Sequence, residues 1–295
     1  VLSVHRRSVY VEVQPAAVSD QPSAGSGRLT DAAVILAIVD AALGNGPLNV
    51  VAQRLDAKDF TLRAGDPVHL EYGMMLIGRR DSVDGKPLSL SLRQSRPWNP
   101  HLRVRVGDID RDAVAACAAL VEEEGPIESL AVLLPILDNR VCTRGLLSSW
   151  QQSALAAIRR LLRGLRTDNV GEIHSGARRL CGLGPGLTPS GDDFLVGVLI
   201  GSCMAGGTVR TILDAATETT RISRAYLEAA ALGQANDPWH DLLWALRRGR
   251  GWEESARRLV RFGETSGADM MTGFFAWWNV YGQYNGKDLT WSRCS

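Results

Sequence analysis

Lysine is nearly absent: Lys58, Lys86 and Lys287 are the only three, and 33 basic against 32 acidic residues leave a net charge of +1. So neutral a chain lacks the basic footprint of a nucleic-acid or anionic-membrane partner. Cysteine is sparse and scattered. Cys117, Cys142, Cys181, Cys203 and Cys294 are odd in number and have no metal-ligand spacing, which predicts free thiols in a reducing compartment. Cys181 reads as a small buried filler rather than a nucleophile. Neither His69 nor His101 has a second histidine at ligand spacing. Val1 to Arg7 lacks the apolar core of a signal peptide, and the longest apolar run, Phe194 to Gly207, is broken by glycines and shorter than a bilayer span. A cytoplasmic protein without a membrane partner is expected. With 45% hydrophobic and 22% charged residues the chain is ordinary for a globular protein, and its 295 residues allow two lobes or one large domain.

The first third reads as mainly strands. Ser8 to Val13 is rich in β-branched and aromatic residues, and Pro67–Glu71 and Met74–Ile77 flank a turn at Tyr72-Gly73. Leu88, Leu90 and Leu92 alternate with polar residues, as do Leu102, Val104 and Val106. Gln21 to Gly27 is a flexible loop by composition. Thr30-Asp31 opens a predicted helix through Leu43, stopped by Gly44-Asn45-Gly46-Pro47. The expected class is α+β: a mainly antiparallel sheet or small barrel over residues 1–107, then a larger helical region over 108–295.

In that second region, Ala113, Val114, Cys117, Leu120 and Val121 form a stripe at helical spacing, ended by Gly125-Pro126. Ser129 to Leu137 reads as a short helix bent or ended by Pro135. Leu155, Ile158, Leu162 and Leu165 repeat the stripe, and the arginines on its other faces read as a solvated surface.

The chain is organised around residues 182–193, Gly-Leu-Gly-Pro-Gly-Leu-Thr-Pro-Ser-Gly-Asp-Asp, which run into the apolar segment Phe194 to Ile200. Glycine and proline rule out a regular element before Ser190, so a loop feeds a core helix. In the plain reading Ser190 is the N-cap, Asp193 reaches back as a short capping box, and Asp192 and Asp193 suit the positive end of the helix dipole. In the sharper reading, the amides of Gly184, Gly186 and Gly191, with Thr188 and Ser190, cradle a phosphate or carboxylate. Two carboxylates beside it would repel a bare anion unless a proton or a divalent cation intervenes, which makes Asp192 and Asp193 candidate Mg²⁺ ligands.

A repeat favours the sharper reading. Ser-Gly-x-Asp-x-x-x-Gly occurs at Ser190–Gly197 and again at Ser266–Gly273, which predicts two packed helices with their starts at one shared site. Gly197, Gly201 and Ala205 leave a smooth face for that packing. Thr265, Ser266, Gly267 and Asp269 would form the opposite wall. Thr220, Arg221 and Arg224, in a hydroxyl- and guanidinium-rich stretch, are candidates to complete an anion site, against plain capping and surface charge. His240 sits in the first turn of a helix begun at Asn236-Asp237-Pro238, with Asp237 as the expected cap, and joins Asp192, Asp193 and Asp269 as a candidate acid or base.

The run GLGPGLTPSGDDFLVG, with Thr219 to Leu227 and Thr265 to Asp269, resembles the AllH family, that of the AllH-type subunit of oxamate carbamoyltransferase. Weaker likeness extends to Gly44–Pro47, Gly65–Val68 and Arg96–Pro100. The resemblance implies carbamoyl transfer between oxalurate, phosphate and oxamate, alongside partner subunits. The tail departs from it: seven aromatics lie between Phe274 and Trp291. Core packing or an oligomer interface, including a homo-oligomer, accounts for them. The rivals are a Mg²⁺-dependent enzyme holding an isoprenoid diphosphate in an aromatic-lined pocket, and a non-catalytic subunit.

Overall fold

The computed structural model describes residues 1–14, 33–79, 86–140, 146–207 and 209–284. The loop expected at Gln21–Gly27, the helix start at Thr30-Asp31, and Cys142, Trp291 and Cys294 lie outside them. The chain divides into two compact units, Val1–Asn99 and Pro100–Ser295.

In the first unit β1 (Ser3–His5), β2 (Ser8–Val13), β3 (Val34–Asp40) and β4 (Asn49–Ala52) form a sheet in that order, antiparallel except for the parallel β3–β4 pair. A second, antiparallel sheet joins β5 (Val68–Glu71), β6 (Met74–Ile77) and β7 (Leu88–Ser91). Val9, Val11 and Ile38 from the first sheet and Met75, Ile77 and Leu88 from the second share one apolar core. Among the described residues the two sheets remain open, so the small barrel gives way to a pair of sheets. The fold class is α+β as expected.

Two expectations fail here for the same reason: the pattern reports burial, and pairing is decided elsewhere. The helix expected up to Leu43 is strand β3 followed by a 3₁₀ turn, Ala41–Leu43. Val9 pairs with Ile38 and Val11 with Leu36, so β-branched residues docking on β2 prevail over alanine-rich helix propensity. The alternation of Leu102, Val104 and Val106 is genuine, with Val104 and Val106 buried, but the segment joins no sheet. It is an extended stretch laid on the helical core, ending in a 3₁₀ turn at Val106–Asp108.

In the second unit α1 (Arg111–Glu124) buries the expected stripe. Pro135 does not end a helix. It sits in the first turn of α2 (Leu134–Leu137), where its missing N–H is not needed, after a 3₁₀ turn at Leu130–Leu133. α3 (Ser149–Thr167) opens on a full capping box of Ser148 and Gln151. α4 (Val170–Leu180), α5 (Ser190–Met204), α6 (Val209–Ala215), α7 (Arg221–Ala231), α8 (Asp237–Arg247), α9 (Trp252–Val260) and α10 (Ser266–Tyr284) follow. The cap of α8 is Asn236, not Asp237: its side chain accepts from Trp239 N at 3.3 Å. Every residue of α5 from Ser190 to Ser202 is buried, the signature of a helix surrounded by protein. Among the described residues no helix is long and apolar enough to cross a membrane.

Candidate functional site

The glycine-rich loop is a turn whose geometry largely requires its glycines. Gly182, Gly184 and Gly186 have φ of 71°, 109° and 99°, in the left-handed half of backbone space. Leu183 N donates to Leu180 O at 2.9 Å, and Gly191 N donates to Leu183 O at 2.8 Å. A Cβ on Gly191 would stand 2.0 Å from Leu180 O, so α5 starts against the end of α4 by backbone contact. Ser190 is therefore not the cap. Pro189 holds that position, its carbonyl accepting from Asp192 N and Asp193 N at 2.9 and 3.1 Å, and the buried Ser190 hydroxyl is turned inward. The amide of Gly191 is likewise spent on the turn. Among the described residues, the amides of Gly184, Gly186, Leu187 and Thr188 make no hydrogen bond.

The same turn recurs between α9 and α10. Phe262 N donates to Leu259 O and Gly267 N to Phe262 O, both at 2.9 Å, and a Cβ on Gly267 would stand 1.7 Å from Leu259 O. Gly263, at φ 68°, faces Ser266 as Gly184 faces Ser190. The repeat is thus longer than the Ser-Gly-x-Asp signature and begins in the preceding helices: Ala177-Arg178-Arg179-Leu180 ends α4, and Ala256-Arg257-Arg258-Leu259 lies in the last turn of α9. That extension is visible in the sequence once both copies are aligned on their serines. The first loop is longer, since Gly191 follows Leu183 by eight residues and Gly267 follows Phe262 by five.

α5 and α10 meet reciprocally. A Cβ on Gly197 would fall 1.8 Å from Met270 O, and one on Gly273 would fall 2.0 Å from Phe194 O, the equivalent position of the other copy. Gly201 seats the Trp277 ring, extending the small-residue face as expected. The two helix starts consequently touch: Thr188 Oγ1 and Ser266 Oγ are 3.1 Å apart, half-buried above the acids.

Beneath them Asp193 and Asp269 lie in the interior, 6% and 0% exposed. Burial, and then the charge of Asp269, push the Asp193 carboxyl well above the usual carboxylate range, against the pull of the nearby Ser266 and Thr188 hydroxyls. Burial raises Asp269 to about 7, opposed by the Leu130 N–H, which donates to its Oδ1 at 2.6 Å, and by Ser190 and Thr265. Although these hydroxyls lie close, Ser190 Oγ, Asp193 Oδ2 and Asp269 Oδ2 are buried without a properly formed hydrogen bond.

Asp192 turns the other way. Its Oδ1 accepts from Gly182 N at 3.0 Å and its Oδ2 from the Thr219 hydroxyl in a short hydrogen bond. Burial raises its pKa against those two donors. Asp192 and Asp193 therefore do not converge on one point, and among the described residues no group of three or more His, Cys, Asp or Glu is placed to hold a metal. The donor set does not fit the Mg²⁺ expected at these two residues.

Of the other candidates, Thr220 caps α7, accepting from Ser223 N at 3.0 Å, and donates to Leu187 O at 3.0 Å, which ties the loop down. Arg221 is exposed at the start of α7. Arg224 spends Nη1 on Leu213 O and Ala216 O, at the end of α6, and Nε on Glu228. His240 Nε2 lies 3.1 Å from Pro100 O. Thr219 and the Leu130 amide complete the site unforeseen: the first stood within a stretch already noted for its hydroxyls, and the second carries no sequence signal at all. Burial and Asp192 push the Cys181 thiol up to about 11, which disfavours its thiolate. Phe274, Phe275 and Trp277 are core, Phe274 lying 5.4 Å from Trp239 ring to ring. The site thus belongs to a helical unit built on two crossed helix–turn–helix elements, the first burying Asp192 and Asp193 and the second Asp269.

Residues 180–277, from the end of α4 into α10, match the family described as oxamate carbamoyltransferase subunit AllH. That segment, a third of the chain, contains both Ser-Gly-x-Asp-x-x-x-Gly signatures. No solved structure matches it.

Proposed function

We propose that this chain binds a small anionic or phosphorylated substrate on the loop before α5 and takes part in carbamoyl transfer of the oxalurate, phosphate and oxamate type, beside other subunits of the enzyme. The observation that carries the binding site is the row of unpaired amides at Gly184, Gly186, Leu187 and Thr188, next to the Thr188 and Ser266 hydroxyls. Such a row of N–H donors at a helix start suits phosphate or carboxylate. Thr265 and Ser266 form the facing wall. The reaction class rests on the family match.

The acids are compatible with an anion because burial favours their neutral forms, which lessens the repulsion that a metal was invoked to offset. Thermal unfolding with phosphate, carbamoyl phosphate and oxalurate, each with and without EDTA, tests the reading, since a ligand that binds the native state raises its apparent stability. A rise with carbamoyl phosphate or oxalurate that survives EDTA is expected. No rise with any of the three removes the anion site, and a rise that disappears with EDTA returns a divalent ion to it.

A further inference from the structure

We infer that Thr220 is a positioning residue for the anion site on the loop before α5: its hydroxyl fixes the Leu187–Thr188 peptide and so aims the Thr188 amide. This deepens the proposed function and rests on it. Thr220 Oγ1 donates to Leu187 O and accepts from Ser223 N, both at 3.0 Å. Its single proton is therefore spent, and it has none to give an anion directly. In a planar trans peptide the carbonyl of one residue and the N–H of the next point in opposite directions. Among the described residues no peptide is cis, so holding Leu187 O on Thr220 turns the Thr188 N–H away from α7. No other hydrogen bond fixes that peptide, because Thr188 N has no partner and Gly186, at φ 99°, leaves the preceding backbone free to turn.

The hold is part of a longer brace. Thr219 donates to Asp192 Oδ2, and Asp192 Oδ1 accepts from Gly182 N at 3.0 Å, so two consecutive threonines tie both ends of the loop to the start of α7. A Cβ on Gly182 would stand 2.7 Å from Glu218 O, which sets the same segment against the loop by backbone contact. The α9–α10 turn makes its two backbone bonds without such a brace: among the described residues no side chain bonds the main chain of residues 263–265. The turn itself thus needs no brace, and the loop that carries the free amides has one. Thr220 acts on a ligand through the direction it gives Thr188, not by touching the ligand.

Backbone ¹⁵N relaxation and calorimetric titration of the full chain with carbamoyl phosphate and oxalurate test this on three variants. Thr220→Val keeps the shape and loses the donor, Thr220→Ser keeps the hydroxyl, and Ser148→Ala removes only the cap of α3. Without ligand, Leu187 and Thr188 should have order parameters of about 0.85 in the wild type and Thr220→Ser, and below about 0.6 in Thr220→Val. Whichever ligand the wild type takes should bind Thr220→Val about tenfold more weakly, the worth of one hydrogen bond to a charged group, and Thr220→Ser within about twofold of wild type. Thr220→Val and Ser148→Ala both lose a helix cap, so an equal loss of affinity in the two assigns the effect to stability and overturns the inference. A Thr220→Val loop as rigid as wild type, or binding that survives in that variant, overturns it while leaving the anion site in place. A rigid wild-type loop that binds neither ligand overturns the anion reading and this role with it. Should Thr220→Val not fold, Thr220→Asp takes its place in the relaxation measurement, since it keeps an acceptor for the Ser223 amide and loses the donor.

Discussion

The unit α4–α5 and the unit α9–α10 make the same turn, carry serine and a buried aspartate at the same positions, and press the same glycine against the other's backbone. Two differences bear on the site. The first unit has three more loop residues, and it has Asp192 where the second has Ala268. What the copies share is what the crossing needs: removing a Cβ at Gly197 and Gly273 lets helices meet at a distance no other residue allows. What only one copy has, packing does not demand. The extra loop residues, with their unpaired amides, and Asp192, which latches the loop to Thr219, are therefore where ligand binding is to be sought.

Breaking the shared part has the largest effect. Gly197→Ala and Gly273→Ala each drive a Cβ into a backbone carbonyl that cannot rotate away, and each should cost about 3 kcal/mol or more in urea unfolding, the upper end of overpacking penalties. A marked inequality between the two would argue against a reciprocal crossing. Next comes the acid pair. A carboxyl whose pKa is raised on folding keeps a proton the unfolded chain has released, so ν_N exceeds ν_U and stability falls with rising pH. The contribution of Asp269 is complete below its ordinary value of 3.8 and is lost as pH climbs through about 7. The melting temperature should decline across that window, and Asp269→Asn should flatten the decline.

The unshared part should behave oppositely, mattering little to folding. Asp192→Ala makes the first unit resemble the second and strands the Gly182 amide and the Thr219 hydroxyl near the surface, a loss of about 1–2 kcal/mol with the fold intact. Deleting Pro185–Leu187, so that the first loop has the length of the second, removes one hydrogen bond from Thr220 and should cost about 1 kcal/mol. Yet it should abolish any thermal shift by carbamoyl phosphate or oxalurate. A shortened loop that still responds to ligand would place the site elsewhere.

How much of this was legible beforehand follows the same division. The paired helices and their contact could be read because the Ser-Gly-x-Asp-x-x-x-Gly signature is local and the glycines recur at helical spacing. The role of Ser190 could not: whether a serine caps or enters the first turn depends on where the preceding proline puts its carbonyl. Nor could the direction of Asp192. Adjacent carboxylates in sequence suggested a chelate, but on a helix neighbours point about 100° apart, and here one faces Thr219 and the other the second copy. Arg224 looked like an anion ligand until a long-range need, the open carbonyls at the end of α6, claimed it.

The convergence of the two copies on one buried acid pair is tested most directly by a double-mutant cycle of Asp193→Asn and Asp269→Asn, followed by urea unfolding at pH 8. Each single change should raise stability by relieving the buried charge, and the double variant should gain little more, giving a coupling above about 1 kcal/mol. Effects that add to within about 0.5 kcal/mol would mean that the two acids do not sense each other.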